Sequence, residues 1–177
     1  QWDGYPFARQ RMMDLFARPE VRNPLVLSGD IHASGAGHLL ADWDDPDSSP
    51  IIGHEVVGTS ISSSFPAELI DIFGELVSAL PWAVYANARH RGYVTVELTP
   101  ETATTRWRVV DTIDEPTSAV RTDFEWTVEA AAAGEPARPG SGSGSAPADP
   151  SPVGQAHAGA QRPAAAQPVR TQPRFTG

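Results

Sequence analysis

The chain has 177 residues, contains neither cysteine nor lysine, and carries a formal net charge of -9. This length fits a single domain, and the lack of cysteine excludes disulfides and thiolate zinc sites within the chain. The acidic balance argues against a general nucleic-acid-binding surface, because phosphate backbones are drawn to basic patches. No apolar run reaches the ~18 residues that a membrane-spanning helix needs.

The composition changes abruptly near Ala130. Residues 1–130 hold 20 acidic residues and 9 arginines, whereas residues 131–177 are mostly Ala, Pro, Gly and Ser, with an alternating run from Gly140 to Ser145. Such a segment cannot bury enough apolar surface to offset the entropy lost on ordering. The sequence therefore predicts one folded unit over residues 1–130 and a disordered tail over residues 131–177.

Residues 1–80 predict an α/β arrangement. Asp3 can cap a short helix that has Pro6 in its first turn, and the apolar run Leu25–Leu27 is typical of a strand buried on both faces. Val56–Val57 indicates a second strand, and the spacing of Ala67–Leu80 predicts an amphipathic helix. The predicted buried faces of the two helices comprise Ala8, Met12, Leu15 and Phe16, and Leu69, Phe73, Leu76 and Leu80.

The hydrophobic period changes to two after residue 90, which predicts three half-buried strands in an antiparallel sheet. Their inward sets are Val94, Val96 and Leu98; Thr105, Trp107 and Val109; and Val120, Thr122, Phe124, Trp126 and Val128. The buried strand at Leu25–Leu27, by contrast, has too few partners in the sequence. Because the chain opens at Gln1 rather than Met, we expect a fragment whose further strands come from upstream.

The sharpest chemical feature is Ser28–His32 at the end of the buried strand. Ligands gather beyond the carboxyl ends of strands in α/β sheets, and in extended backbone Asp30 and His32 would project from one face. A carboxylate and an imidazole together make half of a metal site suited to Zn, Fe or Mn. A plain surface turn with one cap and one histidine is the alternative.

Five further residues are candidates for contacting substrate or supporting the site. Glu55 forms, with the histidine before it, a pair that is more often a satisfied rim pair. Thr59 and Ser60 can bond a phosphate, although hydroxyls at a strand end are more often capping groups. Arg91 can approach an anion, with a solvated strand end as the favoured interpretation. Asp3 can orient the site in addition to capping the helix.

Several segments, in this order along the chain, resemble the PhoD-like phosphatases. They are Trp2–Pro6, Asn23–His32, Glu55–Ser63, Arg91–Val94 and Arg108–Val110. The resemblance implies a metallophosphoesterase fold of the α/β class, a sandwich of two mixed sheets flanked by helices. This chain would supply the carboxyl-terminal part of that fold over residues 1–130, followed by the tail.

The same resemblance implies a function. It indicates a secreted or cell-envelope hydrolase, an alkaline phosphatase or phosphodiesterase, that cleaves phosphate mono- or diesters with a metal-activated water. Asp30 and His32 would be metal ligands, with His32 also catalytic, and the metals would be calcium and iron, or else zinc or manganese. The partners implied are the phosphate ester and the missing amino-terminal half of the enzyme. That half carries the family's earlier ligand blocks, so we expect the fragment to be inactive alone.

Two alternatives belong to other functional classes. The chain could be a non-catalytic remnant that the tail tethers or spaces from a wall. It could also be an unrelated α/β binding module in which Asp30 and His32 are structural. Turnover by the chain alone would exclude the non-catalytic remnant. Unchanged rates after replacement of His32 in a complete enzyme would favour the binding module.

Overall fold

The computed structural model describes residues 4–132, 135 and 140–144. Two α-helices, one 3₁₀ turn and eight strands follow one another along these residues. They are α1 Pro6–Phe16, β1 Leu25–Ser28, β2 Ser34–Leu40, β3 Ile51–Val57, the 3₁₀ turn Ala67–Leu69, α2 Ile70–Ser78, β4 Ala83–Asn87, β5 Arg91–Leu98, β6 Thr102–Val110, β7 Val120–Glu129 and β8 Ser141–Gly144. Within the described residues, neither helix has the length and apolar character needed to cross a membrane.

The strands form two four-stranded sheets. Sheet A has the order β1-β3-β2-β4 and is mixed, because β1 runs parallel to β3 while the other pairs are antiparallel. Sheet B has the order β5-β6-β7-β8 and is antiparallel throughout. The predicted α/β sandwich is confirmed, with the mixed pairing restricted to sheet A.

The core lies between the two sheets. Its buried cluster is Ala36, Val56, Trp107, Trp126 and Val128. Both indoles are 1% exposed, and the Nε1 of Trp107 donates a hydrogen bond across the sandwich to the carbonyl of Val57 at 2.9 Å. Aromatic side chains of this size contribute much of the apolar area that a small core buries, so these two residues of sheet B fix its packing on sheet A.

The period-two strands are confirmed along most of their length. Thr105, Trp107 and Val109 are all buried, as predicted. The prediction is wrong at two strand ends, where Leu98 is 71% exposed and Val120 is 41% exposed. Alternation gives the side of the sheet on which a residue lies, but burial also needs an opposing sheet that reaches that far.

Both predicted helices are present, but the prediction of which residues they bury is wrong. The buried residue of α1 is Met13, whereas Leu15 is exposed. In α2, Leu76 is 64% exposed, while Phe73 and Val77 are half-buried. Both helices are short, so their orientation depends on the sheet beneath them more than on their own periodicity.

Three strands were not predicted. Ser34–Leu40 (β2) and Ala83–Asn87 (β4) contain few β-branched residues, and the tail was predicted to be disordered. The structure instead pairs Ser141–Gly144 (β8) with β7, which corrects the tail prediction for those four residues. A Cβ at Gly142 would lie 2.5 Å from the ring of Phe124, so glycine permits this close pairing. Residues 145–177 lie outside the described part of the chain.

Two neighbouring histidines, His38 of β2 and His54 of β3, lie on the core face of sheet A. The Nδ1 atoms of His38 and His54 lie 3.2 Å apart, and the ring of His54 packs edge-on against Trp126. His54 is 1% exposed, and its Nε2 has no hydrogen-bond partner among the described residues. Burial first, and then the charge of His38, lowers the pKa of His54 to about 4.

We expect acid to destabilise the chain through this pair. An unfolded histidine titrates near pH 6.5. The contribution of the neutral His54 to the free energy of unfolding is therefore fully present above that pH and is lost as the pH drops towards 4. The full loss for His54 is about 3 kcal/mol. Urea unfolding between pH 7 and pH 4 measures it, and a His54→Gln variant should lose most of the dependence. An unchanged pH slope in that variant would contradict the assignment.

Candidate metal centre

The predicted ligands lie in a turn that directly follows β1. Asp30 has φ = 75° and His32 has φ = 59°, so both are in the left-handed region. The expectation that they share one face of extended backbone is therefore wrong, because the strand ends at Ser28. Positive φ costs a non-glycine residue about 1–3 kcal/mol and concentrates at functional sites. Asp and His are among the residues that tolerate this conformation best.

The two side chains are available for ligands. Asp30 is exposed and His32 is half-buried, and neither side chain has a hydrogen bond or an ion pair with another described residue. A carboxylate and an imidazole without partners fit a metal ion of the Fe, Zn or Mn kind, and the carboxylate alone also fits calcium. Among the described residues, however, no three His, Asp or Glu side chains lie close enough to hold a metal together. Asp30 and His32 do not make a complete metal site among the described residues, and their role as ligands stays a prediction.

The turn is held in place through the carbonyl of His32. The Nη1 of Arg91 donates to this oxygen at 2.5 Å, and the hydroxyl of Thr59 donates to it at 3.3 Å. Arg91 also donates to the carbonyls of Ser63, at 3.1 Å, and of Ala88. These hydrogen bonds of Arg91 and Thr59 hold the end of the turn in which Asp30 and His32 have positive φ.

Arg91 is therefore not the solvated strand end favoured by the sequence. It is 6% exposed, and it has no carboxylate partner among the described residues. Burial lowers the pKa of its guanidinium. Its place beneath the His32 turn fits the supporting role predicted for it, while a direct contact with substrate stays a prediction.

The other candidates are distributed around the same strand ends. The hydroxyl of Thr59 also reaches the carbonyl of His90 at 3.3 Å, and that of Ser60 donates to the carbonyl of Ser63. Both hydroxyls thus cap main-chain groups. Glu55 accepts a hydrogen bond from Ser28 at 2.7 Å, on the strand that adjoins β1.

Two expectations about neighbouring residues need correction. The histidine that precedes Glu55 is His54, which lies in the core rather than in a rim pair. Helix α1 is capped at Tyr5, without a side-chain hydrogen bond, so the predicted cap by Asp3 is not the one found. Asp3 itself lies outside the described residues, and its role at the site stays a prediction.

The free edge of β1 leads directly to the turn. The carbonyl of Pro24 accepts from the N–H of His54 in β3, and the carbonyl of Ser28 accepts from the N–H of Gly58 directly after β3, each at 2.9 Å. Because backbone groups of alternate residues point to opposite sides of a strand, those of Leu25 and Leu27 face away from β3. No described strand lies on that side. Leu27 is 62% exposed, which corrects the prediction of a strand buried on both faces within this chain.

A second group of polar residues beside the site was missed by the sequence analysis. Asn87 and His90, at the end of β4, bond each other at 3.0 Å, and Asp123 of β7 accepts a hydrogen bond from Asn87 at 2.6 Å. Arg91, next to His90, was considered as a possible anion contact, but no local pattern links this segment to Asp123, which is more than thirty residues away.

Comparisons with known proteins give a consistent result. The family model of the PhoD-like phosphatases matches residues 1–107. Alkaline phosphatase D of Bacillus subtilis (strain 168) is 36% identical over 122 residues, which are 68% of this chain and 21% of that protein. A solved structure titled "Structure of PhoD" matches with a TM-score of 0.64 and 32% identity, over 73% of this chain and 24% of that one.

These matches also set the extent of the likeness. The chain spans about a fifth of the length of the curated relative that it matches, and the matched solved chain is likewise about four times longer than the matched part. Both the sequence and the fold of the matched region are shared, and the family model covers more than half of the chain. The chain belongs to the PhoD-like phosphatase family.

Proposed function

We propose that this chain forms part of a longer enzyme that hydrolyses phosphate mono- or diesters, and that Asp30 and His32 are two of its metal ligands. The proposal rests on one observation above the others, namely that these two side chains lie without partners among the described residues in a strained turn. Family membership supports the same reaction class, since the curated relative is named an alkaline phosphatase.

The residues of the chain have separate tasks in this proposal. The carboxylate of Asp30 and one ring nitrogen of His32 would bind the ions, calcium and iron by resemblance, or zinc or manganese. When bound, such ions lower the pKa of water from ~15.7 towards ~7 and polarise phosphoryl oxygens. They would also offset the repulsion between an acidic domain and an anionic ester. Arg91 and Thr59 would hold the His32 backbone, and a second acceptor would fix the imidazole tautomer.

The remaining ligands would come from chain added at the free edge of β1. The backbone groups of Leu25 and Leu27 are directed towards that edge, so a further strand can pair there. A parallel strand would end beside Asp30, where its own terminal side chains complete the metal site. We propose that the missing amino-terminal half supplies it, and that the enzyme acts outside the cytoplasm.

The decisive test uses a longer protein that contains both this chain and the upstream region. We expect His32→Ala and Asp30→Asn each to lower kcat/KM by about 100-fold or more, because each removes a ligand. Para-nitrophenyl phosphate and its bis-ester measure the two activities, and elemental analysis measures bound calcium and iron. Asp47→Asn, an exposed acidic residue in another loop, should leave both readouts unchanged.

Two results would overturn the proposal. Full activity of the His32→Ala enzyme would mean that the Asp-His pair is structural and does not bind the metal. A longer protein that retains no metal and turns over neither ester would favour the non-catalytic remnant.

A further inference from the structure

Asp123 is brought into the space between the sheets by a β-bulge. Trp107 of β6 pairs with Phe124 of β7, but the next residue, Arg108, pairs with Thr122. Asp123 is therefore the extra residue of the bulge, and a bulge re-aims the side chain that it displaces. The Asp123 side chain is only 12% exposed, although strict alternation along β7 would direct it to solvent.

Three donors converge on the Asp123 carboxylate. The hydroxyl of Tyr85 and the amide of Asn87 each donate to Oδ2 at 2.6 Å, and Arg121 donates to Oδ1. Burial alone raises the pKa of Asp123, but the bonds from Tyr85, Arg121 and Asn87 outweigh it and hold the pKa below its usual value. The phenol is itself fixed, since Tyr85 stacks on Phe124 with ring centroids 4.6 Å apart.

The orientation of the Asn87 amide follows from its other contacts. Its Oδ1 accepts the backbone N–H groups of Arg89, at 2.8 Å, and of His90, at 3.1 Å. The Nδ2 must then be the group that faces Asp123 and the Nδ1 of His90. Asn87 thus connects the buried carboxylate to the turn of residues 88–90.

That turn contacts both groups that hold the His32 carbonyl. The carbonyl of Ala88 accepts from the Nη2 of Arg91, and the carbonyl of His90 lies 3.3 Å from the hydroxyl of Thr59, whose single proton it shares with the carbonyl of His32. Arg91 and Thr59 are the two donors to the carbonyl of His32. A continuous chain of hydrogen bonds therefore runs from Asp123 in sheet B to the His32 turn.

We infer that Asp123 is a positioning residue for the His32 turn. A turn with two left-handed, non-glycine residues persists only when its surroundings determine it. Asp123 supplies that constraint by fixing Asn87, which orders the carbonyls that align Arg91 and Thr59. The expected effect on metal binding rests on the proposed function. The hydrogen-bonded link between Asp123 and the His32 turn does not, and it can be tested in the chain itself.

Amide hydrogen exchange in the present chain tests the link. Asparagine at position 123 offers one acceptor oxygen where three donors converge, so at least one donor faces an N–H group. We expect Asp123→Asn to speed exchange of the buried amides of Ala33 and Ser34 about tenfold relative to the β6 amides, as a local loss of about 1.4 kcal/mol requires. Glu125→Gln, two residues away on the same strand and paired with Arg106, should change that ratio less than about twofold.

A second variant and a second readout make the outcome decisive. Asn87→Ala removes the next link, and it should reproduce the selective effect at Ala33 even if Asp123→Asn does not fold. Ser34 is not read in this variant, because it pairs directly with Asn87. Unchanged exchange at Ala33 in a folded variant would overturn the inference, as would acceleration spread equally over β6. In the longer enzyme, titration with Mn²⁺ should show about tenfold weaker binding. Selective loosening with unchanged Mn²⁺ affinity would support the link and sink the ligand role proposed for His32.

Discussion

Replacing Arg91 with methionine is expected to destabilise the chain by about 4 kcal/mol. Arg91 is 6% exposed, and its guanidinium donates to the carbonyls of His32, Ser63 and Ala88. Methionine keeps much of the volume but none of the donors, so three acceptors lose a partner at ~1–3 kcal/mol for each one that stays buried. Relaxation and entry of water reduce the sum.

Urea unfolding of the chain at neutral pH measures this loss. The matched control is Arg89→Met, because Arg89 is two residues away, is 47% exposed at its side chain and pairs with the exposed Asp71. An exposed pair contributes at most about 1 kcal/mol, so the control should change stability little. Equal losses in the two variants would show that the carbonyl contacts of Arg91 carry no special weight.

The sequence predicted the parts of the fold in which local pattern and burial agree. Strands β5 to β7 each have one face on the core and one towards solvent, so alternation identifies the inward residues Trp107, Trp126 and Val128. The same rule failed at Asp123, because the bulge shifts the phase of β7 by one residue. A bulge depends on pairing with another strand, and the sequence of β7 alone does not reveal it.

Strand β2 could not be predicted from its residues. It includes Gly35 and Gly37, which disfavour strands in isolation. Its stability comes from pairing with β3 on one side and β4 on the other. A Cβ at Gly37 would lie 3.1 Å from the carbonyl of Trp82. The glycine that lowers the strand propensity of β2 therefore also lets its backbone come close to that of Trp82.

The candidate site was predicted in its residues but not in its conformation. The position of Asp30 and His32 after a strand is visible in the sequence, whereas their left-handed backbone and the bond from the distant Arg91 to the carbonyl of His32 are not. Sequence reasoning favoured a solvated strand end for Arg91, because most arginines in such positions stay at the surface. Here its described partners are carbonyls and hydroxyls, which every segment possesses and no motif marks.

The second large effect is expected from Gly92→Ala, which we predict to cost about 4 kcal/mol. A Cβ on Gly92 would lie 2.0 Å from the carbonyl oxygen of Arg108 and 2.9 Å from the Cα of Val109. Both atoms belong to the backbone of β6, so no side chain can rotate away to make room. The residue has φ = 157°, and its N–H donates to the carbonyl of Ser60 at 3.1 Å. Relief of the clash would therefore separate β5 from β6 or break this bond.

Gly74→Ala is the matched control for Gly92→Ala. Gly74 lies inside α2, and a Cβ there would meet no atom within 4 Å, so alanine should raise stability by about 0.5–1 kcal/mol through helix propensity. Urea midpoints of the two variants should thus move in opposite directions from that of the unaltered chain. Amides of Ser60 and Arg91 should also exchange faster in Gly92→Ala, because the strain falls where β5 begins and the His32 turn is held. A Gly92→Ala variant as stable as the unaltered chain would mean that β5 and β6 are not in the close contact on which the placement of Arg91 depends.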